Sequence, residues 1–261
     1  MEDPVYTLPF FKKIIQKRSN DIIGLAVASG GRLKIGKERS KTVYLISLFL
    51  IMGIPHFLKY AWITFSFKIQ KKFSAFFPFI SSPSIASFAK SFNIPVHTIN
   101  SPNNKNVLEM LRQLKPDIII NQSQYIIKKE LLEIPAIGVL NRHNALLPKN
   151  RGRLTPFWVK YKNENKTGVS IHFVDEGIDS GPIVVQKSFP VTEKDTFNTI
   201  VKKNYGIAAD AMLEALNKLE KGFSDFFPNE DSKATYNTVP TLNQAMEYRK
   251  KQTLNFFLPK K

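Results

Sequence analysis

Apolar and polar residues alternate in blocks along the chain, and the blocks predict helices and strands in turn. The helical patterns have apolar residues three or four positions apart, over 5–19, 84–92, 106–114, 126–132, from about 155, and 195–221. The strand patterns are short apolar runs bounded by turn residues, over 21–28, 94–99, 118–121, 137–141, 167–174 and 182–191. Strands that alternate with helices of this length predict a mostly parallel sheet with helices on both faces.

The pattern predicts an α/β fold, but the chain lacks two sequence motifs by which such folds often bind nucleotides. No G-x-G-x-x-G follows the first strand, and no Walker loop is present. In such a sheet, ligands most often bind at the carboxyl ends of the strands. We expect a main domain over 1–225 and a short C-terminal extension over 226–261.

One stretch is apolar without a clear helical or strand period. From Tyr44 to Phe67 the chain reads YLISLFLIMGIPHFLKYAWITFSF, which lies within an apolar and basic insertion over about 40–75. It is long enough to cross a bilayer, but Gly53 and Pro55 interrupt it, and His56 and Lys59 lie inside it. Three interpretations stay open: a helical insertion packed on the domain, a helix pair at a membrane surface, and a true span.

Composition and charge narrow the function classes. The chain has 43% hydrophobic residues, no cysteine and a formal net charge of +17. The lack of cysteine excludes disulfides, thiolate zinc sites and cysteine nucleophiles. The positive charge favours phosphate-bearing partners, although a lysine-rich genome composition explains it equally well. Glu2 and Asp3 stand where a secretory leader would be basic, so we expect a cytoplasmic protein, with membrane association left open.

Candidate chemistry begins at the end of the strand over 137–141. Asn141 and His143 are two residues apart, so an extended backbone turns both side chains to the same side. An amide can donate to a developing oxyanion, and an imidazole can move protons near neutral pH. The pair therefore suits acyl chemistry, although a single histidine after a strand is more often structural.

A second cluster follows in the stretch that separates the last two strands. Gly177 and Gly181 allow the chain to reverse there, and a carboxylate held in this turn could orient the imidazole. His172 points away from Ile171 and Phe173, and we interpret it as structural or as a supporting neighbour of the site. Each residue alone has an ordinary structural explanation, so the hypothesis depends on their joint occurrence.

These motifs resemble those of the folate-dependent formyltransferases. That family, which acts on methionyl-tRNA, glycinamide ribonucleotide and amino sugars, has the pattern N-x-H-x-[SA]-LLP, then TGV-[ST]-x-H, then D-x-G. The chain reads NRHNALLPKNRGRLTPFW and then TGVSIHFVDEGIDSGPIVVQ. The resemblance covers about 116–191 and implies a Rossmann-like formyltransferase fold.

The resemblance also implies roles for individual residues. Asn141, His143 and Asp179 match the family's catalytic triad, with Asn141 and a protonated His143 stabilising the oxyanion and Asp179 positioning His143 or a water. N10-formyltetrahydrofolate would be the co-substrate, and no metal is expected. Arg151 and Arg153 would approach a phosphate-bearing acceptor, or they form a solvated basic loop. The residues expected to contact folate are Gln122, Ser123, Leu146, Leu147, Pro148, Val174 and Gly177.

The chain departs from the family pattern at both ends. Family members have an apolar strand before a segment like 4–11, whereas only three residues precede that segment here, so either the sequence begins late or the fold lacks its first strand. The tail is short for the β-barrel of methionyl-tRNA formyltransferases. We therefore expect formyl transfer to a primary amine, with a nucleotide-linked amino sugar as the leading acceptor.

Two other functions and two further partners are kept as alternatives. The first alternative function is methionyl-tRNA formylation, and the second is a non-catalytic, membrane-associated protein that keeps the fold. A peripheral membrane contact through Tyr44–Phe67 and a homodimer are the further partner hypotheses.

Overall fold

The computed structural model describes residues 3–28, 40–77 and 82–257 of the chain. The helices are α1 Thr7–Arg18, α2 Lys41–Met52, α3 Ile54–Phe76, α4 Ile85–Lys90, α5 Lys105–Leu114, α6 Lys129–Leu132, α7 Thr155–Tyr161, α8 Phe197–Glu220 and α9 Leu242–Phe257. The strands are β1 Leu25–Ala28, β2 Val96–Ile99, β3 Ile118–Asn121, β4 Gly138–His143, β5 Arg151–Gly152, β6 Lys166–Phe173, β7 Ile183–Pro190 and β8 Tyr236–Asn237.

The predicted α/β class is confirmed, and the strands form three separate sheets. The largest has the order β3-β4-β6-β7, in which β3 and β4 run parallel and the later pairs run antiparallel. β1 and β2 form a parallel pair, and β5 and β8 form another. The largest sheet carries the candidate site, because the ends of β3 and β4 lie in register there, with Asn121 beside Asn141.

A gap separates the β1–β2 pair from the largest sheet. Among the described strands β1 pairs only with β2 and β3 only with β4, and no described strand precedes α1. Residues 25–28 and 118–121 both border a cavity of about 1170 Å³. β1 and β3 therefore each have an edge that no other described strand pairs with, and both strands border this cavity.

The main core lies between the largest sheet and α8. Alanines and Met212 of α8 pack on Val169, Ile171 and Val184, and the small alanines let the helix approach the sheet closely. Thr196 caps α8 in a reciprocal arrangement with Thr199, which fixes where the helix begins. α1 packs on the same core through Phe10 and Ile14, so the sheet that carries the site is firmly backed.

The apolar insertion forms two helices joined at Gly53, whose φ of 77° favours glycine. No individual helix within the described ranges has both the length and the apolar character to cross a bilayer, whereas α2 and α3 meet those criteria together as a pair bent by 119°. The tail also packs on this region. α9 lies against α2, and Arg249 donates from Nε to the carbonyl of Leu50 at 2.7 Å.

Candidate active site

Asn141 lies at the carboxyl end of β4 and is held on both sides of its amide. Its Oδ1 accepts a hydrogen bond from Gln122 Nε2 at 2.9 Å, and its Nδ2 lies 3.4 Å from His172 Nε2. Because the β3 and β4 ends are in register, Gln122 follows β3 beside Asn141. The amide orientation is therefore set by its neighbours, with the N–H₂ group directed toward the histidine side.

His143 is buried two residues further along the same strand. Its Nε2 lies 2.8 Å from the carbonyl oxygen of Asn150, and its Nδ1 lies 3.4 Å from Asp179 Oδ2. A carbonyl oxygen only accepts, so Nε2 carries a hydrogen and the Nδ1 side faces the carboxylate. Burial lowers the pKa of His143 below its usual value, although the Asp179 carboxylate opposes this shift. The neutral imidazole is therefore favoured in the resting site.

Asp179 reaches the two histidines from the turn between β6 and β7. Its backbone has a φ of 50°, which is uncommon outside glycine, and its Oδ2 accepts from the Gly152 amide at 2.8 Å. Its Oδ1 lies 3.6 Å from His172 Nε2. Burial alone would raise the pKa of Asp179, but His143, His172 and the Gly152 amide together hold that pKa well below its usual range. The group therefore stays ionised.

His172 completes the cluster from the neighbouring strand β6. It is buried, and its Nδ1 lies 2.7 Å from the carbonyl of Phe173, which assigns a hydrogen to Nδ1 and leaves Nε2 to face Asn141 and Asp179. The structure thus brings together an amide, two imidazoles and a carboxylate. The period-two alternation of β6 indicated which way His172 points, but its closeness to Asn141 follows from the pairing of β4 with β6.

The residues expected to contact folate lie around this cluster, and their role stays a prediction. Ser123 turns its Oγ to Asn121 Oδ1 at 2.7 Å, and Val174 hydrogen-bonds through its amide to Val139 at 2.7 Å. Leu147 is buried, whereas Leu146 and Pro148 are half-buried and Gly177 is exposed.

Sequence reasoning did not identify the groups that hold the loop after His143. The Oγ of Ser170, which is fully buried, accepts from the Leu147 amide at 3.0 Å and from Gln186 Nε2 at 2.9 Å. It donates to the Ala145 carbonyl at 2.7 Å. Ser170 stands two residues before His172 on β6, so the same strand face holds the loop and the second histidine.

Arg142, between Asn141 and His143, also has a place that the sequence did not indicate. Its Nε donates to Gln122 Oε1 at 2.9 Å and its Nη1 to Asn144 Oδ1 at 2.6 Å. The guanidinium lies over the Tyr205 ring, 4.2 Å from its centre. Arg142 therefore connects the β3 end, the site loop and α8, and it fixes Gln122 against Asn141.

The two arginines expected to bind the acceptor differ in position. Arg151 is fully buried, and its guanidinium donates to Asp231 at 2.6 Å, to Tyr236 at 2.7 Å and to Asn229 at 2.8 Å. These partners come from the tail, so Arg151 ties the tail to the site loop and is not open to a ligand. Arg153 is half-buried, and its charge lies close enough to the Tyr44 hydroxyl of α2 to oppose the rise that burial causes in the pKa of Tyr44.

The large cavity ends near the cluster. Residues 121–125, Arg142 and Tyr205 are among those that line it, whereas Asn141, His143 and Asp179 are not part of its lining. In residues 3–28, 40–77 and 82–257, no group of three or more His, Asp or Glu side chains is placed to hold a metal ion.

Comparison with known proteins places these residues in context. The formyl transferase family model matches residues 80–216, which is more than half of the chain. The methionyl-tRNA formyltransferase of Kosmotoga olearia is 35% identical over 153 residues, which cover 58% of this chain and 49% of that protein. The Thermotoga maritima enzyme of the same name is 33% identical over 153 residues, with the same coverage. The chain thus spans about half the length of these curated relatives.

Solved structures show the same fold. Glycinamide ribonucleotide transformylase 1 from Symbiobacterium toebii matches 77% of this chain and 89% of its own, with a TM-score of 0.50 and 17% identity. HypX from Aquifex aeolicus in complex with tetrahydrofolic acid matches 62% of this chain and 30% of its own, with a TM-score of 0.50 and 20% identity. The family model spans the stretches that carry Asn141 and His143 and those that carry His172 and Asp179, and it covers more than half of the chain. The chain therefore belongs to the formyl transferase family.

Proposed function

We propose that the chain transfers a formyl group from N10-formyltetrahydrofolate to a primary amine at the Asn141–His143–Asp179 cluster. The observation that carries the proposal is the meeting of these three side chains, with His172, in a member of the formyl transferase family. An amide donor, an imidazole and an ionised carboxylate can each assist acyl transfer to an amine.

In this proposal each group takes one step of the transfer. The amine nitrogen attacks the formyl carbon, and the Asn141 N–H₂ donates to the oxygen as it becomes negative. The neutral His143 takes the proton that the amine loses, at Nδ1, where the Asp179 carboxylate stabilises the resulting imidazolium. The bond between the formyl carbon and N10 then breaks, and the proton passes to N10. The products are the formylated amine and tetrahydrofolate.

The protonation state of the resting site favours this order of steps over one that starts with a charged His143. Burial lowers the pKa of His143, so the neutral base is available at neutral pH. Asp179 stays ionised because its pKa is held low, with the Gly152 amide donating to its Oδ2. A neutral His143 is thus ready to accept the proton that the amine loses.

For the acceptor, we favour an aminoacyl-tRNA over the nucleotide-linked amino sugar expected from the sequence. The support is that the curated relatives are named methionyl-tRNA formyltransferases. A positively charged chain suits either acceptor, since each carries phosphate. Of the two arginines expected to meet the acceptor, Arg153 is half-buried, whereas Arg151 is enclosed.

A direct assay tests the proposal. The purified chain is mixed with N10-formyltetrahydrofolate and, separately, with methionyl-tRNA or with dTDP- and GDP-linked amino sugars. We expect tetrahydrofolate release and formylation of methionyl-tRNA, and Arg153→Ala should raise the KM for the acceptor more than the KM for folate. Transfer only to the sugars would return the acceptor to the amino sugar class. No transfer and no folate binding would favour a non-catalytic member of the family.

A further inference from the structure

The outer side of α3 has an uninterrupted row of exposed apolar side chains. They recur every three or four residues and are between 39% and 71% exposed. This row, the α3 stripe, consists of Ile54, Leu58, Trp62, Phe65, Ile69, Phe73 and Phe76. At 1.5 Å per residue it extends over roughly 33 Å, far more than a scattered surface hydrophobic residue.

The opposite side of α3 is already packed on the protein. Phe67 is buried beside Leu8 and Ile15 of α1, and the Tyr60 hydroxyl donates to Asp3 Oδ2 at 2.9 Å. These contacts fix the rotation of the helix about its axis. The α3 stripe therefore cannot turn inward without breaking the packing beneath it.

Positive charge borders the α3 stripe. Lys59 lies on one side of it, and Lys68 and Lys72 lie on the other, and all three are exposed. Residues 40–77 contain no aspartate or glutamate. The surface is therefore apolar along its middle and cationic along its edges.

We propose that the α3 stripe docks on the surface of an anionic lipid bilayer, with the helix lying in the plane of the membrane. Apolar side chains with an amphipathic tryptophan enter the boundary between headgroups and acyl chains, while the bordering lysines contact anionic headgroups. A second copy of the chain is a poorer occupant, because two such cationic surfaces repel each other. A deep span would require α3 to give up its contacts with α1 and Asp3.

Tryptophan fluorescence reports docking directly. The chain has two tryptophans, of which Trp158 is 8% exposed and Trp62 is 68% exposed. In a Trp158→Phe variant the emission comes from Trp62 alone. We expect a blue shift when vesicles of phosphatidylcholine with about 30% phosphatidylglycerol are added, and binding weaker by at least about tenfold with pure phosphatidylcholine or at high salt.

Matched variants separate docking from general stickiness. Phe65→Gln with Phe73→Gln should weaken vesicle binding by about tenfold or more, whereas Met246→Gln, at an exposed position of α9, should leave it unchanged. Lys68→Glu with Lys72→Glu should abolish the preference for anionic vesicles. Because the readout is binding, the result does not depend on formyl transfer.

Three results would overturn the proposal. The first is the absence of a blue shift with either vesicle. The second is a shift that depends on protein concentration in the absence of lipid, with a dimer in sedimentation, which would assign the stripe to a second copy. The third is salt-independent binding to neutral vesicles with 40–77 protected from protease, which would indicate insertion of the bent helix pair.

Discussion

The candidate site cluster, which consists of Asn141, His143, His172 and Asp179, and the α3 stripe depart from the usual burial rule in opposite directions. The cluster buries His143 and His172 and half-buries Asp179, whereas α3 places large apolar side chains on the surface. The cluster is compensated within the chain, because each buried polar group faces a partner at 2.7–3.6 Å. The stripe has no such compensation among the described residues, which is why its partner must come from outside.

The supports of the two regions differ as well. The cluster is fixed by paired strands, whose register brings Asn141 opposite His172. The stripe is fixed from behind, by the buried side of a single helix. Substitutions in the cluster should therefore change the rate of formyl transfer, the free energy of unfolding, or both. Substitutions in the stripe should leave both quantities nearly unchanged.

The largest effect outside the histidine is expected at the amide. Asn141→Ala removes the N–H₂ donor for the oxyanion, and kcat for formyl transfer should fall by about 10²–10³-fold. Folate binding should change little, since Asn141 acts on the developing charge. The rate is measured in single-turnover assays, and a kcat close to that of the wild type would remove Asn141 from the reacting centre.

The next effect concerns stability and separates the two arginines. Arg151→Met removes hydrogen bonds to Asp231, Tyr236 and Asn229, so the free energy of unfolding should drop by about 2–3 kcal/mol. Arg153→Ala serves as the control and should change stability by less than about 1 kcal/mol. Urea unfolding measures both. Equal losses would contradict the different positions of the two side chains.

The pH dependence of stability tests the ionised carboxylate. The pKa of folded Asp179 is held below its usual value, so its stabilisation is fully present above the pKa of the unfolded state, near 4, and is lost as pH falls further. The stability difference between wild type and Asp179→Asn should thus stay constant from about pH 7 to 5 and shrink below about pH 4. A difference that already shrinks above about pH 5 would show that the histidines do not hold the carboxylate in its ionised form.

The smallest effect is expected on the stripe. Trp62→Gln removes an exposed side chain without internal partners in the protein core, and the free energy of unfolding should change by less than about 0.5 kcal/mol. Phe67→Ala on the buried side of the same helix is the counterpart, and it should cost about 3 kcal/mol or more. If the two variants were equally destabilised in urea unfolding, the stripe would belong to the core.

Local patterns were enough to predict most of the fold. The strand over 118–121 matches β3, and the helix over 106–114 matches α5 to within one residue, because each is a clear apolar period with turn residues on both sides. The pairing of β5 with β8 and the helix α9 were not predicted. β5 and β8 have only two residues each, so no period is visible, and their pairing joins residues about 85 positions apart.

The site was predictable only in part, for a similar reason. Asn141 and His143 share a strand and a spacing, but the enclosure of Arg151 depends on Asn229, Asp231 and Tyr236 in the tail. The segment 44–67 is apolar on every side, so composition could not distinguish the buried Phe67 from the exposed Trp62. That distinction required the contacts with α1.

We propose that the buried cluster performs proton transfer during formylation of an amine. The most direct measurement is the single-turnover rate of His143→Gln with bound N10-formyltetrahydrofolate and saturating acceptor, beside His56→Gln on exposed α3 as the control. We predict a rate lower by about 10²–10⁴-fold for His143→Gln, with folding and folate affinity retained, and an unchanged rate for the control. A folded His143→Gln variant that turns over at the wild-type rate would contradict the account.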